Sequence, residues 1–255
     1  MVDQWSVTIP ELSGKTERRV YVYLPEQALR RKNARYPVLY MFDGHNVFFD
    51  THATYGKSWG MKTYMDKTRT KMIIVAVECN HGKNHARLKE YAPYTFQREG
   101  FGRITGKGET YMRWLIDTLK PIIDERYPTL PDRAHTYIAG SSMGGLMSLY
   151  AVLAHNDVFS RAACLSPSLW TQPRKLQQLI STAVLTPDTV IYMDYGSREM
   201  ANHPGMLPCY SAAAKALLDK QVHLTCRIIP GGEHCEACWE EQIPYFMSTL
   251  LYRRG

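Results

Sequence analysis

Between Thr136 and Leu149 a short apolar run turns through Gly140-Ser-Ser-Met-Gly144 into a helical pattern. This is a Gly-x-Ser-x-Gly arrangement centred on Ser142. A serine that attacks a carbonyl must stand at the tip of a tight strand-to-helix turn, where small residues two positions before and after keep a strained backbone from colliding. Gly140 and Gly144 meet that need. Leu146, Leu149, Tyr150 and Leu153 follow at the spacing of a packed helix. Ser142 is therefore the candidate nucleophile, and an ordinary Gly-rich strand-to-helix turn is the competing reading.

Near neutral pH a serine hydroxyl is a weak nucleophile, so it needs a general base that is itself oriented by a third group. In a strand-turn-helix setting these partners follow the serine in the order acid, then histidine. The chain offers Asp194-Tyr-Gly-Ser-Arg-Glu199 and then Pro230-Gly-Gly-Glu-His234. His234, in a turn before the last helical segment, is the candidate base. Glu199, beyond the strand end, is the preferred acid, and Asp194, closer to the strand, is the alternative. The oxyanion of acyl transfer needs backbone N–H donors. Met143, directly after the serine, would supply one. His45, in the turn-prone loop Asp43-Gly-His-Asn46, would supply the other, with Gly44 letting the backbone approach.

The elements that must position these residues alternate. Strands are predicted at Trp5 to Ile9, Arg19 to Leu24, Val38 to Phe42, Met72 to Val77, Thr136 to Ala139, Ala162 to Leu165, Val190 to Met193 and Val222 to Ile229. Helical patterns cover Tyr111 to Tyr127, Gly144 to Asn156, Arg174 to Ile180, Met206 to Lys220 and Cys235 to Tyr252, with a kink expected at Pro121. Such alternation predicts an α/β fold: a mainly parallel sheet covered by helices on both faces, with the first two strands as an antiparallel edge pair. At 255 residues and 45% hydrophobic content, one domain is expected across 1–255. The long irregular stretches Phe48 to Gly60 and Asn80 to Gly108 are expected at the carboxyl ends of strands, where open α/β sheets bind ligands.

The formal charge of +7 is spread among mixed-sign residues, which gives no support for a nucleic-acid partner. No apolar run is long enough to span a bilayer, and Met1-Val-Asp-Gln-Trp-Ser6 lacks a basic start and an apolar signal core. A cytoplasmic protein without a membrane partner is expected. The six cysteines do not form a disulfide framework and are expected to be reduced. Cys235-Glu-Ala-Cys238 is a C-x-x-C at a helix start, open to redox or zinc readings, but it lacks a second such motif, and His223 or Cys209 are only speculative further ligands. Helix packing is the favoured role. Gly100 to Gly108 fails as a phosphate loop because Gly108 replaces the hydroxyl residue and no strand precedes it. Trp59, Tyr91, Tyr94, Phe96, Phe101 and Trp170 fall in segments expected around a cleft that would suit an aromatic or extended acyl group.

Taken together, Tyr40-Met-Phe-Asp-Gly-His-Asn46, Ile138-Ala-Gly-Ser-Ser-Met-Gly-Gly-Leu146, Gly196-Ser-Arg-Glu199 and Gly232-Glu-His234 resemble the branch of the α/β-hydrolases that holds esterase D-like and feruloyl esterases, siderophore trilactone esterases and mycolyltransferases. The resemblance runs from about Arg19 to the C-terminus. It implies the α/β-hydrolase fold, a triad of Ser142, Glu199 and His234, and an oxyanion hole from Met143 and His45. Arg87-Leu-Lys-Glu-Tyr-Ala-Pro-Tyr94 also resembles a segment that packs near the active-site rim of such esterases, which makes Arg87 a substrate-binding candidate beside Trp59 and Trp170. Cys235 and Cys238 depart from the family pattern. The expected activity is serine carboxylic-ester hydrolysis through an acyl-enzyme, on a small or aromatic acyl ester, with no cofactor or metal. The alternatives are acyl transfer on the same triad and a non-catalytic binding scaffold. The motifs do not choose among feruloyl, acetyl-sugar, siderophore and short-chain esters.

Overall fold

In a computed structural model that describes residues 1–31, 33–100, 102–202 and 205–252, the apolar runs pair into one large sheet. Its strands are β1 (Val2–Thr8), β2 (Glu17–Tyr23), β3 (Val38–Met41) and β4 (Ile73–Val77). After a separate hairpin of β5 (Phe96–Arg98) and β6 (Gly102–Ile104), it continues with β7 (Thr136–Ser141), β8 (Arg161–Leu165), β9 (Val190–Gly196) and β10 (His223–Ile229). The order across the large sheet is β1-β2-β4-β3-β7-β8-β9-β10. β1 with β2 and β2 with β4 run antiparallel, and every other pairing in it is parallel. That is the architecture expected from the alternation of strand and helix patterns.

The pleat sends successive side chains to opposite faces, so each central strand feeds two cores. Val38 and Tyr40 pack with the helices Gly108–Trp114, Met143–Ala154, Pro173–Thr182 and Met206–Asp219. Leu39 and Met41 pack on the other face with Met61–Thr68 and Glu236–Leu250. Both faces being covered explains why β3 and β4 are apolar throughout rather than alternating, and why every residue of β7 is buried.

Departures from the sequence expectation have local causes. β7 and β9 extend to Ser141 and Gly196, carrying Gly140, Asp194 and Tyr195 into the buried sheet. The expected kink at Pro121 is a π-helical turn, Leu115–Leu119, just before the helix Lys120–Arg126. The missing proline N–H is absorbed by wider turns. Helix Met61–Thr68 was not expected, since only Met61 and Met65 of its eight residues are buried. The stretch Asn80 to Gly108 is not irregular throughout: it holds helix Ala86–Glu90 and the β5-β6 hairpin. A buried ion pair between Arg18 and Glu90, 2.6 Å apart, ties that helix to β2. Among the described residues no helix is long and apolar enough to cross a membrane.

Candidate active site

β7 delivers Ser142 to the carboxyl edge of the sheet in a backbone conformation that non-glycine residues rarely adopt, φ 58° and ψ −121°. Three main-chain bonds hold it there. The Ser142 N–H donates to the Leu165 carbonyl at 2.9 Å, and the Ser142 carbonyl accepts from Leu146 N–H and Ser168 N–H, each at 3.0 Å. The flanking glycines are sterically required: a Cβ on Gly140 would lie 2.7 Å from the Gly144 carbonyl carbon, and one on Gly144 would lie 2.9 Å from Phe42 Cβ. The Ser142 hydroxyl lies 3.5 Å from that of Ser168.

Two loops bring the acid and the imidazole together. A side chain on Gly196 would collide with the backbone of Gly232, so the turn after β9 and the turn after β10 touch through bare backbone. This contact lets His234 Nδ1 and Glu199 Oε2 meet at 2.8 Å. The other carboxylate oxygen of Glu199 accepts from the Ser166 hydroxyl at 2.6 Å and the Gly196 N–H at 2.9 Å. Ser166 in turn accepts from the Trp239 indole N–H at 3.1 Å, and the His234 ring stands edge-on to Trp239. Glu199 is thus buried and fully engaged, with His234 half-exposed above it. Asp194 points elsewhere. It accepts from the Tyr192 hydroxyl at 2.8 Å and the Ser166 N–H at 3.1 Å, and burial pushes its carboxyl up to about 7.

Upstream, the loop after β3 is a 3₁₀ turn, Gly44–Asn46, that starts from Asp43 in a left-handed conformation, φ 55°. Arg87 grips the Asp43 carboxylate with both arms of its guanidinium, at 2.6 and 2.7 Å. Burial pushes that carboxyl up, but the Arg87 charge and hydrogen bonds outweigh it and hold the carboxyl below its ordinary range. His45 is the second residue of this turn and Met143 is the first of its helix. Their N–H groups therefore precede the first intrahelical bonds. Among the described residues neither N–H has a protein acceptor.

Ser142, Met143 and His234 line one cleft of about 260 Å³ together with Leu88, Phe96, Arg98, Ser168, Trp170 and Met206. Trp170 lies where the sequence placed it, edge-on to Phe96 and under the Arg98 guanidinium at 4.0 Å. Two substrate-binding candidates stand apart from this cleft. Trp59 is 3% exposed and packs on Trp239 and Phe246 in the core beneath the sheet. Arg87 is committed to Asp43 and does not line the cleft. Tyr91 is likewise buried, against Phe42 and Tyr111, while Tyr94 packs on Tyr150 and Phe101 lies outside the described residues. Sequence reasoning missed Ser166, Ser168 and Arg98. Leu165-Ser-Pro-Ser168 follows a strand at the carboxyl edge of the sheet, and that position was a usable signal. Cys235 precedes the last helix and Cys238 is buried within it. Among the described residues, no group of three potential metal ligands includes either cysteine.

Comparison with known proteins agrees with this fold. Residues 12–245 match the family described as "Putative esterase". Among curated proteins, an uncharacterized protein, YbbA, of Bacillus subtilis is 23% identical over 71% of this chain and 69% of its own length. Ferri-bacillibactin esterase BesA, also of Bacillus subtilis, is 26% identical over 64% of this chain and 58% of its own. A solved ferulic acid esterase superposes with a TM-score of 0.70 at 20% identity, over 98% of this chain and 96% of that one. With most of its length inside the family match, this chain belongs to the "Putative esterase" family of the α/β-hydrolases and is a carboxylic ester hydrolase.

Proposed function

We propose that the chain hydrolyses esters of small or aromatic acids through an acyl-enzyme on Ser142. The observation that carries this reading is the 2.8 Å bond from His234 Nδ1 to Glu199, in a cleft shared with a left-handed Ser142. With Nδ1 donating to Glu199, Nε2 is the basic nitrogen. It takes the Ser142 proton as Oγ attacks the ester carbonyl carbon, and the N–H groups of Met143 and His45 receive the oxyanion. His234 then protonates the departing alkoxide. Water, deprotonated by His234, attacks the acyl-enzyme, and the collapse of the second tetrahedral intermediate returns the proton to Ser142. Glu199 orients the imidazole and stabilises its charged form.

The ring of Trp170, the edge of Phe96 and the side chains of Leu88 and Met206 give the cleft flat, apolar walls, which suits an aromatic acyl group. Feruloyl esters and ferri-bacillibactin, named for a structural neighbour and a relative, are the first compounds to try. Purified protein is expected to release acid from p-nitrophenyl acetate and from a feruloyl ester, with Ser142→Ala slower by a factor on the order of 10⁴ or more. Equal rates for the two proteins would sink the proposal.

A further inference from the structure

Outside the cleft, a second group of chemistry-bearing side chains gathers where the loop after β3 meets the loop after β4. One ligand atom each from His45, Cys79 and His81 lies within 4.8 Å of the others. The two imidazoles meet edge to face, 4.7 Å between centroids, and Cys79 Sγ is 3.9 Å from His81 Nδ1. His45 and Cys79 are buried, and His81 is exposed. His45 carries the decisive detail. Its Nε2 pairs with the Thr54 hydroxyl at 3.0 Å, while its Nδ1 is buried with no hydrogen-bond partner among the described residues. Burying a polar nitrogen without a partner is costly, and such an atom needs an explanation. If Nε2–H donates to Thr54, Nδ1 keeps its lone pair, and a hydrogen bond on the distal nitrogen is how proteins orient a metal-ligating histidine.

We propose that His45, Cys79 and His81 form a binding site for a soft divalent metal ion of the zinc type, separate from Ser142 and His234. Two imidazoles and a thiolate are a donor set that zinc accepts, with water as the fourth ligand. Tetrahedral coordination needs donor separations of about 3.5 Å. The exposed His81 can swing to close the group, and Cys79 releases its proton to solvent as the metal–sulfur bond forms. Burial is the largest influence on His45 and disfavours a charge there, as do His81 and Arg87, while the carboxylates of Asp43 and Glu78 favour one.

Occupancy has a consequence that rests on the proposed function. Drawing the three donors together pulls His45, whose main-chain N–H is the proposed oxyanion donor. A displacement of about 1 Å at such a group slows catalysis severely. The metal is therefore an inhibitor of hydrolysis, acting through the oxyanion loop.

Cobalt(II) is the probe, added to reduced, chelator-treated full-length protein. About one equivalent should bind, with thiolate-to-cobalt charge-transfer absorption and the visible bands of a four-coordinate ion, all removed by excess zinc. Cys79→Ser should abolish the charge-transfer absorption. His81→Ala, a surface change that leaves the core intact, should weaken cobalt binding by about tenfold or more. The Cys235→Ser, Cys238→Ser double variant should behave as wild type. Absence of the charge-transfer band in wild-type protein, its survival in Cys79→Ser, its loss in the double variant, or unchanged affinity in His81→Ala would each overturn the site. Zinc should slow ester hydrolysis several-fold in wild type and less in His81→Ala, and equal inhibition would overturn the coupling. A protein without esterase activity would refute the proposed function and leave the cobalt spectra as an independent result.

Discussion

Ser142 is held by backbone sterics, whereas Glu199 and His234 are held by polar contacts that pass from one loop to the next. On the serine side, Gly140, Gly144 and Phe42 leave no room for a different turn, and three main-chain bonds close on Ser142. On the other side, the loops after β9 and β10 touch at Gly196 and Gly232, and alignment comes from the run Trp239 to Ser166 to Glu199 to His234. One side is rigid by exclusion and the other is ordered by directional bonds. Substitutions should therefore separate folding from chemistry: small additions on the serine side should damage stability, and isosteric changes on the acid side should damage turnover.

Glu199→Gln is the sharpest such change and carries the largest expected effect on the acid side. Its oxygen can still accept from Ser166 and Gly196, but its amide would then face His234 Nδ1 as a donor. The imidazole must respond by placing its proton on Nε2, where it can no longer act as base. Turnover of an aromatic ester should fall by about 10³ to 10⁴ with a nearly unchanged melting temperature. Asp194→Asn should keep turnover within about tenfold of wild type, because Asp194 faces Tyr192 and Ser166 rather than His234. A larger loss in the Asp194 variant would exchange the two carboxylates in the mechanism.

Gly140→Ala tests the other side. Its new Cβ would press on the backbone of Gly144 at 2.7 Å, and backbone cannot rotate away as a side chain can. Overpacking of this kind costs about 1–3 kcal/mol or more, which for a chain this size lowers the melting temperature by roughly 2–4 °C per kcal/mol. Thermal unfolding followed by circular dichroism measures it. A melting temperature equal to wild type would mean that the elbow yields, and the contrast between the two sides would fail.

The same contrast explains what could be read in the sequence. Gly140, Ser142 and Gly144 are adjacent in the chain, so the turn they make was visible from five residues, as was the order of β7 and its helix. Glu199 and His234 were visible because each follows a strand end. Ser166 and Trp239 were not: they are 73 residues apart, and only the packing of helix Glu236–Leu250 under β8 joins them. Trp59 and Arg87 lie apart from the cleft for a related reason. A tryptophan or arginine near a strand end looks the same whether it faces a cleft or a core. Trp239 takes the first for packing, and Asp43, unrecognised as an ion partner, takes the second. Helix Met61–Thr68 was missed because its buried face is only two methionines wide.

Asp194 gives the smallest expected effect and the finest test of how the acid side is held. Burial pushes its carboxyl up to about 7, with the neighbouring charge of Glu199 pushing the same way, against the Tyr192 and Ser166 donors and Arg227. In the unfolded chain the group ionises near 3.9. The folded protein therefore binds a proton that the unfolded chain has lost over the window from about 4 to about 7. Stability from this group is complete below about 4 and drains away as pH rises through about 7. Asp194→Asn carries no such proton. It should be the less stable protein near pH 5, where wild type keeps the Tyr192 and Ser166 bonds to a neutral acid, and should draw level or pass it near pH 8. A relative shift of about 1–3 kcal/mol is expected between those conditions, allowing for relaxation around the buried charge. Urea unfolding of both proteins at the two pH values measures it. Parallel stability curves would mean that Asp194 is ionised throughout, and that the polar side of the site holds two buried negative charges rather than one.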